Sequence, residues 1–251
     1  MSRRSVLMGT ITLLLLTGAV AAALIVLALR EPGFYRRAAV VPGRPREQHS
    51  RDFYAALIAF RENLKEGRGY AHFTQEQINS FLEEDFIRSG LNKQVLPESI
   101  SAPRVALDAE RIRLAFRYHI GRWNTVISVE LRVWLAAEAP NVVALELQGM
   151  RAGSLPISAQ SLLERLNEAA DRNDIKVEWF RHKGNPVAVV HFQSDQPRTT
   201  VLLDRLDLNP GQISISGQSV EPGTAVTPPS QPAEPSAAVT SPTALFRPSA
   251  R

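Results

Sequence analysis

The chain has 251 residues, a net charge of +4 and no cysteine, which excludes disulfides, thiolate nucleophiles and cysteine-based metal sites. The positive charge sits at one end: eight arginines against Glu31 and Glu47 put +6 in residues 1–51 and leave −2 for residues 52–251. A slightly acidic folded part excludes a nucleic-acid-binding domain, which needs a basic face.

Residues 1–4 form a short basic start, and residues 5–29, Ser5 to Leu29, follow without one charged side chain. A helix of that length reaches roughly 37 Å, enough to cross a hydrocarbon core of about 30 Å. Thirteen Leu, Ile and Val residues in the run favour insertion. A cleaved signal peptide would carry a shorter apolar region, so the run is read as a single-pass transmembrane anchor and the lipid bilayer as its partner. Phe34 and Tyr35 then stand where an interfacial aromatic belt would, or alternatively pack on the domain. Five arginines after the run (Arg30, Arg36, Arg37, Arg44, Arg46) against Arg3 and Arg4 before it favour a cytoplasmic domain by the positive-inside count.

Residues 30–50, with three prolines and two glycines, read as a basic extended connector. Residues 51–219 read as one α+β domain. Ser50 offers an N-cap, and Phe53, Leu57, Phe60 and Leu64 recur at helical spacing over residues 51–66. Thr74 and Gln77 match a capping box opening a helix over residues 74–88, with Glu83 to Asp85 on a solvated face. The period then changes to two. Ile112, Leu114, Phe116, Tyr118 and Ile120 alternate with basic residues, and Ile127, Val129, Leu131, Val133 and Leu135 alternate with polar ones. Val143, Leu145 and Leu147 continue the pattern. With Val105 and Leu107 these predict a four-strand antiparallel meander.

Ser158 can cap a helix over residues 158–171. Further strands are expected at Ile175 to Trp179, Val187 to His191, Val201 to Leu208 and Ile213 to Ile215, so the strands lie between residues 101 and 217. The fold class is α+β: after the N-terminal transmembrane helix, a curved antiparallel β-sheet packed against two or three helices laid on one face. Residues 220–251, with seven prolines from Glu221 onward, read as a disordered tail.

Catalytic constellations are not found. There is no phosphate loop, no His-Glu-x-x-His pair and no nucleophile elbow, and the five histidines (His49, His72, His119, His182, His191) show no ligand spacing. A non-enzymatic protein without a cofactor or metal is expected. The feature with functional promise is the apolar sheet face of Leu114, Phe116, Tyr118, Val129, Leu131, Val133 and Leu145. It is either a core closed by the helices or a groove for an acyl chain, and periodicity does not separate the two.

Phe73-Thr74-Gln75-Glu76-Gln77-Ile78-Asn79, the meander with Asp108 and Ile112-Arg113-Leu114, the Ala152-Gly153-Ser154-Leu155-Pro156 step, and Asp207-Leu208-Asn209-Pro210-Gly211-Gln212-Ile213 resemble the YpmS-like family of bacterial single-pass membrane proteins. The resemblance covers roughly residues 70–217. It implies an extracytoplasmic α+β domain, with an architecture loosely similar to tubular lipid-binding proteins. Two functional readings follow: a membrane-tethered binder of lipid or another apolar ligand, and a scaffold component of an envelope protein complex. An enzyme with no recognisable site ranks third.

Overall fold

Proline and glycine divide the amino-terminal part of the chain into three helices. The computed structural model describes residues 3–121, 123–136, 141–160, 163–164, 177–191 and 201–219. Helix α1 spans Arg3–Leu29, 27 residues, long and apolar enough to cross a membrane, and it is unburied from Leu13 onward. Arg30 to Pro32 interrupt it, and α2 (Gly33–Arg37) follows. Helix α3 (Arg44–Lys65) carries Pro45 in its first turn, where a missing N–H costs nothing, and Glu47 beside the positive end of the dipole.

These helices correct two expectations. Residues 30–50 are not an extended connector, because α2 and the first two turns of α3 lie within them. Ser50 is not an N-cap either; it is fully buried inside α3, and its hydroxyl donates to the Asp85 carboxylate at 2.6 Å. Of the two readings of Phe34 and Tyr35, packing on the domain holds. Tyr35 is fully buried against Ala115 and Val126, and its hydroxyl donates to the Ala102 carbonyl at 2.9 Å.

Among the described residues there are ten strands, and the first lies outside the expected range of residues 101–217: β1 (Arg68–Thr74), β2 (Ile100–Asp108), β3 (Arg111–Ile120), β4 (Trp123–Leu135), β5 (Val142–Ala152), β6 (Leu155–Pro156), β7 (Val177–His182), β8 (Asn185–His191), β9 (Val201–Asn209) and β10 (Gln212–Ser219). A three-stranded sheet runs β1-β10-β9, and a larger antiparallel sheet runs β2-β3-β4-β5-β8-β7 with β6 beside β5. The fold is therefore α+β, and β2 to β5 form the expected meander. Of the helix expected over residues 158–171, only Gln160, Leu163 and Glu164 are described as helical. Ile175 and the whole of residues 220–251 lie outside the described residues.

The small sheet carries α3. Gly69, Ala71 and Phe73 turn inward along β1, and a Cβ on Gly69 would collide with the Leu64 side chain and the Phe60 carbonyl. Phe53 then meets Phe73 and Phe81 at 4.9 Å between ring centroids and Leu64 is buried, so these two residues of the α3 stripe pack inside the domain, while Leu57 stays 43% exposed. The capping box is present: Gln77 N–H donates to Thr74 Oγ1 at 3.2 Å, and Thr74 N–H donates to Gln77 Oε1 at 2.9 Å. Helix α4 (Gln75–Glu83) ends where Glu84 leaves helical geometry, and α5 (Asp85–Arg88) and α6 (Leu91–Val95) follow.

Glu83 to Asp85 are not a solvated face. Glu83 accepts from Arg46 and Arg104, both at 3.1 Å, Glu84 pairs with Arg46, and Asp85 holds Ser50. These pairs tie α3 to the end of α4 and to β2.

Helix α4 also sits differently from the expectation that it lies on the face of the meander. It closes an edge. The Asn79 side chain donates to the Val105 carbonyl and accepts from the Val105 N–H, both at 2.8 Å, and Gln75 accepts from Leu107 N–H at 2.9 Å. Gly211 N–H takes the Leu107 carbonyl at 2.9 Å. The free backbone groups of an edge strand are thereby satisfied, and the edge is unavailable for pairing with another chain.

Candidate functional site

Register determines which residues share a face. Leu114 pairs with Val129, Phe116 with Ile127, Tyr118 with Thr125, Leu131 with Leu147 and Val133 with Leu145. Leu114, Phe116, Tyr118, Val129, Leu131, Val133 and Leu145 therefore lie on one face of β3, β4 and β5, as the alternation predicts. Only Val129, at 6% exposure, is fully buried among these seven; Leu114 is 36% exposed and the other five are partly exposed.

The opposite, polar face is covered by the segment that joins α1 to α3. Glu31 pairs with Arg117 at 2.8 Å, Phe34 lies 4.6 Å from the Arg113 guanidinium, and Tyr35 lies 4.4 Å from that of Arg104. Arginine stems and planar heads make such a face coverable by aromatic rings. Ala115 and Val126 beneath Tyr35 are 1% and 3% exposed. A polar cleft of about 350 Å³ opens beside this segment, lined by Phe34, Arg113, Ser128, Glu130, Gln148 and Arg151. Arg113 is engaged by Asp108 and Glu130 by Arg111, so its fixed charges are largely compensated.

The end of α1 is seated on the sheet. Strand β5 ends with Ala152 opposite Ile127, and past that point the edge of β4 receives the last turn of the helix. Ser154 N–H donates to the Leu27 carbonyl at 2.9 Å, and the Thr125 hydroxyl donates to the Ala28 carbonyl. Terminal helix carbonyls have no partner within the helix, so these bonds cap it. Gly153, at φ +59°, makes the approach possible: a Cβ there would overlap the carbonyls of Leu27 and Ala28. Thr125 stands opposite Tyr118 on the apolar face, so the row Leu114, Phe116, Tyr118 runs directly to the end of α1.

One buried acidic residue escaped the sequence reading. Glu146 is 3% exposed on the polar-face side of β5, accepts from the Asn185 amide at 2.7 Å, and has His182 Nδ1 at 3.6 Å. Its signal was a run apolar at both parities: Val142 and Ala144 are as buried as Val143, which marks a strand covered on both faces. Of the other histidines, His72 bonds to Ser214 at 3.0 Å, His119 to Ser101 at 2.8 Å, and His49 lies 3.5 Å from Glu76. Among the described residues no cluster of His, Asp or Glu is arranged to hold a metal ion. The chemistry this arrangement offers is an apolar surface leading to an apolar helix.

The chain matches no protein-family model, no curated protein and no solved structure.

Proposed function

We propose that this is a non-enzymatic, membrane-anchored domain that binds lipid or another apolar ligand on the face of Leu114, Phe116, Tyr118, Leu131, Val133 and Leu145. The observation that carries the reading is the partial exposure of these six side chains on a face whose end, at Thr125, is bonded to the last turn of α1. Val129 and, on the same face, Val105, Leu107, Val143 and Leu147 are buried as a core is, and these six are not. A face that opens at the bilayer gives an acyl chain a continuous apolar path. The scaffold alternative rests on the amphipathic helix α3 and the carboxy-terminal tail; Phe53 and Leu64 of its apolar stripe pack inside the domain, and Leu57 is left exposed.

The anchor is α1, in a bacterial membrane, and the domain lies on the extracytoplasmic side; the family resemblance supports this side. Arg30, Arg36, Arg37 and Arg44 are all exposed and argue for the other. Protease treatment of intact spheroplasts decides between them, since digestion of the domain without lysis requires it to be outside.

Native mass spectrometry of the detergent-purified full chain tests the ligand. Retained lipid that is lost in Leu114→Asp is the expected result. A ligand-free protein, or lipid retained equally by the variant, overturns the reading.

A further inference from the structure

The β3–β4 hairpin tip presents Trp123 to solvent at 53% exposure, next to Gly121 and Asn124, which are also exposed. An indole left outside the core is an unusual use of a large apolar group, and no described aromatic or cationic group stacks on it. Its position is fixed by the seat of α1. Thr125 holds the Ala28 carbonyl, and Trp123 lies two residues further along the same strand and on the same face, about 7 Å away. Arg30 is the first charged residue after the apolar helix, so the chain leaves the hydrocarbon near Ala28. The headgroup layer beyond the hydrocarbon is about 5–7 Å deep on each side. Trp123 thus stands within one headgroup layer of the exit point.

The direction of the chain agrees. After Ala28 it passes Arg117 with Glu31, then Arg113 with Phe34, moving along β3 away from the hairpin tip. The tip is left on the side from which α1 arrives. Exposure of the leucines along α1 falls in the same sense, from 62–70% for Leu13 to Leu16 to 37% for Leu27, with Val26 at 66% on the side turned away. Arg30 and Arg151 are exposed beside the junction and supply cations where anionic headgroups would lie.

We propose that the β3–β4 hairpin tip is a second membrane contact, with the Trp123 indole seated in the interfacial layer of the bilayer that α1 spans. Indole suits that layer because its ring is apolar and its N–H can bond to headgroup and water oxygens. Two attachments, one spanning and one interfacial, hold the domain at one tilt and keep the open end of its apolar face toward the lipid. The proposal rests on the membrane-anchoring reading of α1 and not on ligand binding by the sheet.

Full-length protein carrying Trp134→Phe and Trp179→Phe, reconstituted in phosphatidylethanolamine–phosphatidylglycerol vesicles, leaves Trp123 as the sole tryptophan, excited selectively at the red edge of its absorption. The expected result is a blue-shifted emission, loss of intensity with lipids brominated near the headgroup end of the acyl chain, and protection from aqueous iodide. A second protein, Leu16→Trp with Trp123, Trp134 and Trp179 all changed to Phe, reports α1 itself through deep bromolipids. Quenching of the α1 probe with an unshifted, iodide-accessible Trp123 overturns the hairpin contact and leaves the anchor standing. Failure of both probes to sense lipid overturns the anchor and the contact together.

Discussion

Replacing Gly153 by alanine tests the seat of α1 on the sheet. At φ +59° an L-residue carries a backbone penalty of about 1–2 kcal/mol. The new methyl group also overlaps the Leu27 and Ala28 carbonyls, so the bonds from Ser154 N–H and Thr125 Oγ1 are pushed apart, at about 0.5–1.5 kcal/mol each. Together these come to about 2–5 kcal/mol against the docked helix. Two other glycines separate the causes. Gly211→Ala meets the positive φ with open space around it and should cost about 1–2 kcal/mol without touching α1. Gly149→Ala has neither problem and should stay within about 0.5 kcal/mol of the parent protein. Hydrogen exchange in detergent reads the difference at the Ser154 amide, which Gly153→Ala should accelerate by about 25-fold or more, one factor of ten for each 1.4 kcal/mol. The Val129 amide in the sheet should keep its protection. If Ser154 exchanges alike in Gly153→Ala and Gly149→Ala, the helix is not seated there and the fixed position of Trp123 falls with it.

Asn79→Ala leaves the buried Val105 N–H and carbonyl without partners, at about 1–3 kcal/mol for each group, and should lower the melting temperature by about 4–24 °C; a drop below about 2 °C would show the β2 edge is closed by something else. Val129→Asp and Leu114→Asp change directly paired residues on one face. The first should cost about 3 kcal/mol or more and the second less than about 1 kcal/mol, read as urea midpoints. The reverse order would mean that the closed part of the face lies over Leu114.

Local patterns were legible in the sequence, and distant partnerships were not. The Thr74–Gln77 capping box closes within one helical turn, so three residues of spacing announce it. The meander announces itself through period-two alternation and the turn at Gly121, because strand partners follow one another along the chain. Tyr35, Ser50 and Glu83 carried no such signal: their partners are Ala102, Asp85 and Arg46, each more than thirty residues away. Alternation told which side of β3 is apolar, and it placed the seven residues of the candidate face together correctly. It could not tell that the arginine side would be covered by aromatic residues of the segment after α1, because an arginine row reads as solvated until something stacks on it. The seat of α1 depends on Gly153, whose value lies in the absence of an atom.

The segment from Arg30 to Ala38 also decides how this domain can be detached from its helix. Tyr35 fills the space over Ala115 and Val126, Arg104 donates to the Tyr35 carbonyl, and Arg117 is matched by Glu31. A soluble form beginning at Arg30 keeps this cover and loses only the apolar helix. One beginning at Ser50 uncovers two small apolar residues, strips Arg117 of its carboxylate and Arg104 of the Tyr35 carbonyl, and discards Arg46, which bridges Glu83 and Glu84. A protease cutting between Tyr35 and Ser50 would therefore release a weakened domain and leave part of its packing behind on the α1 stub.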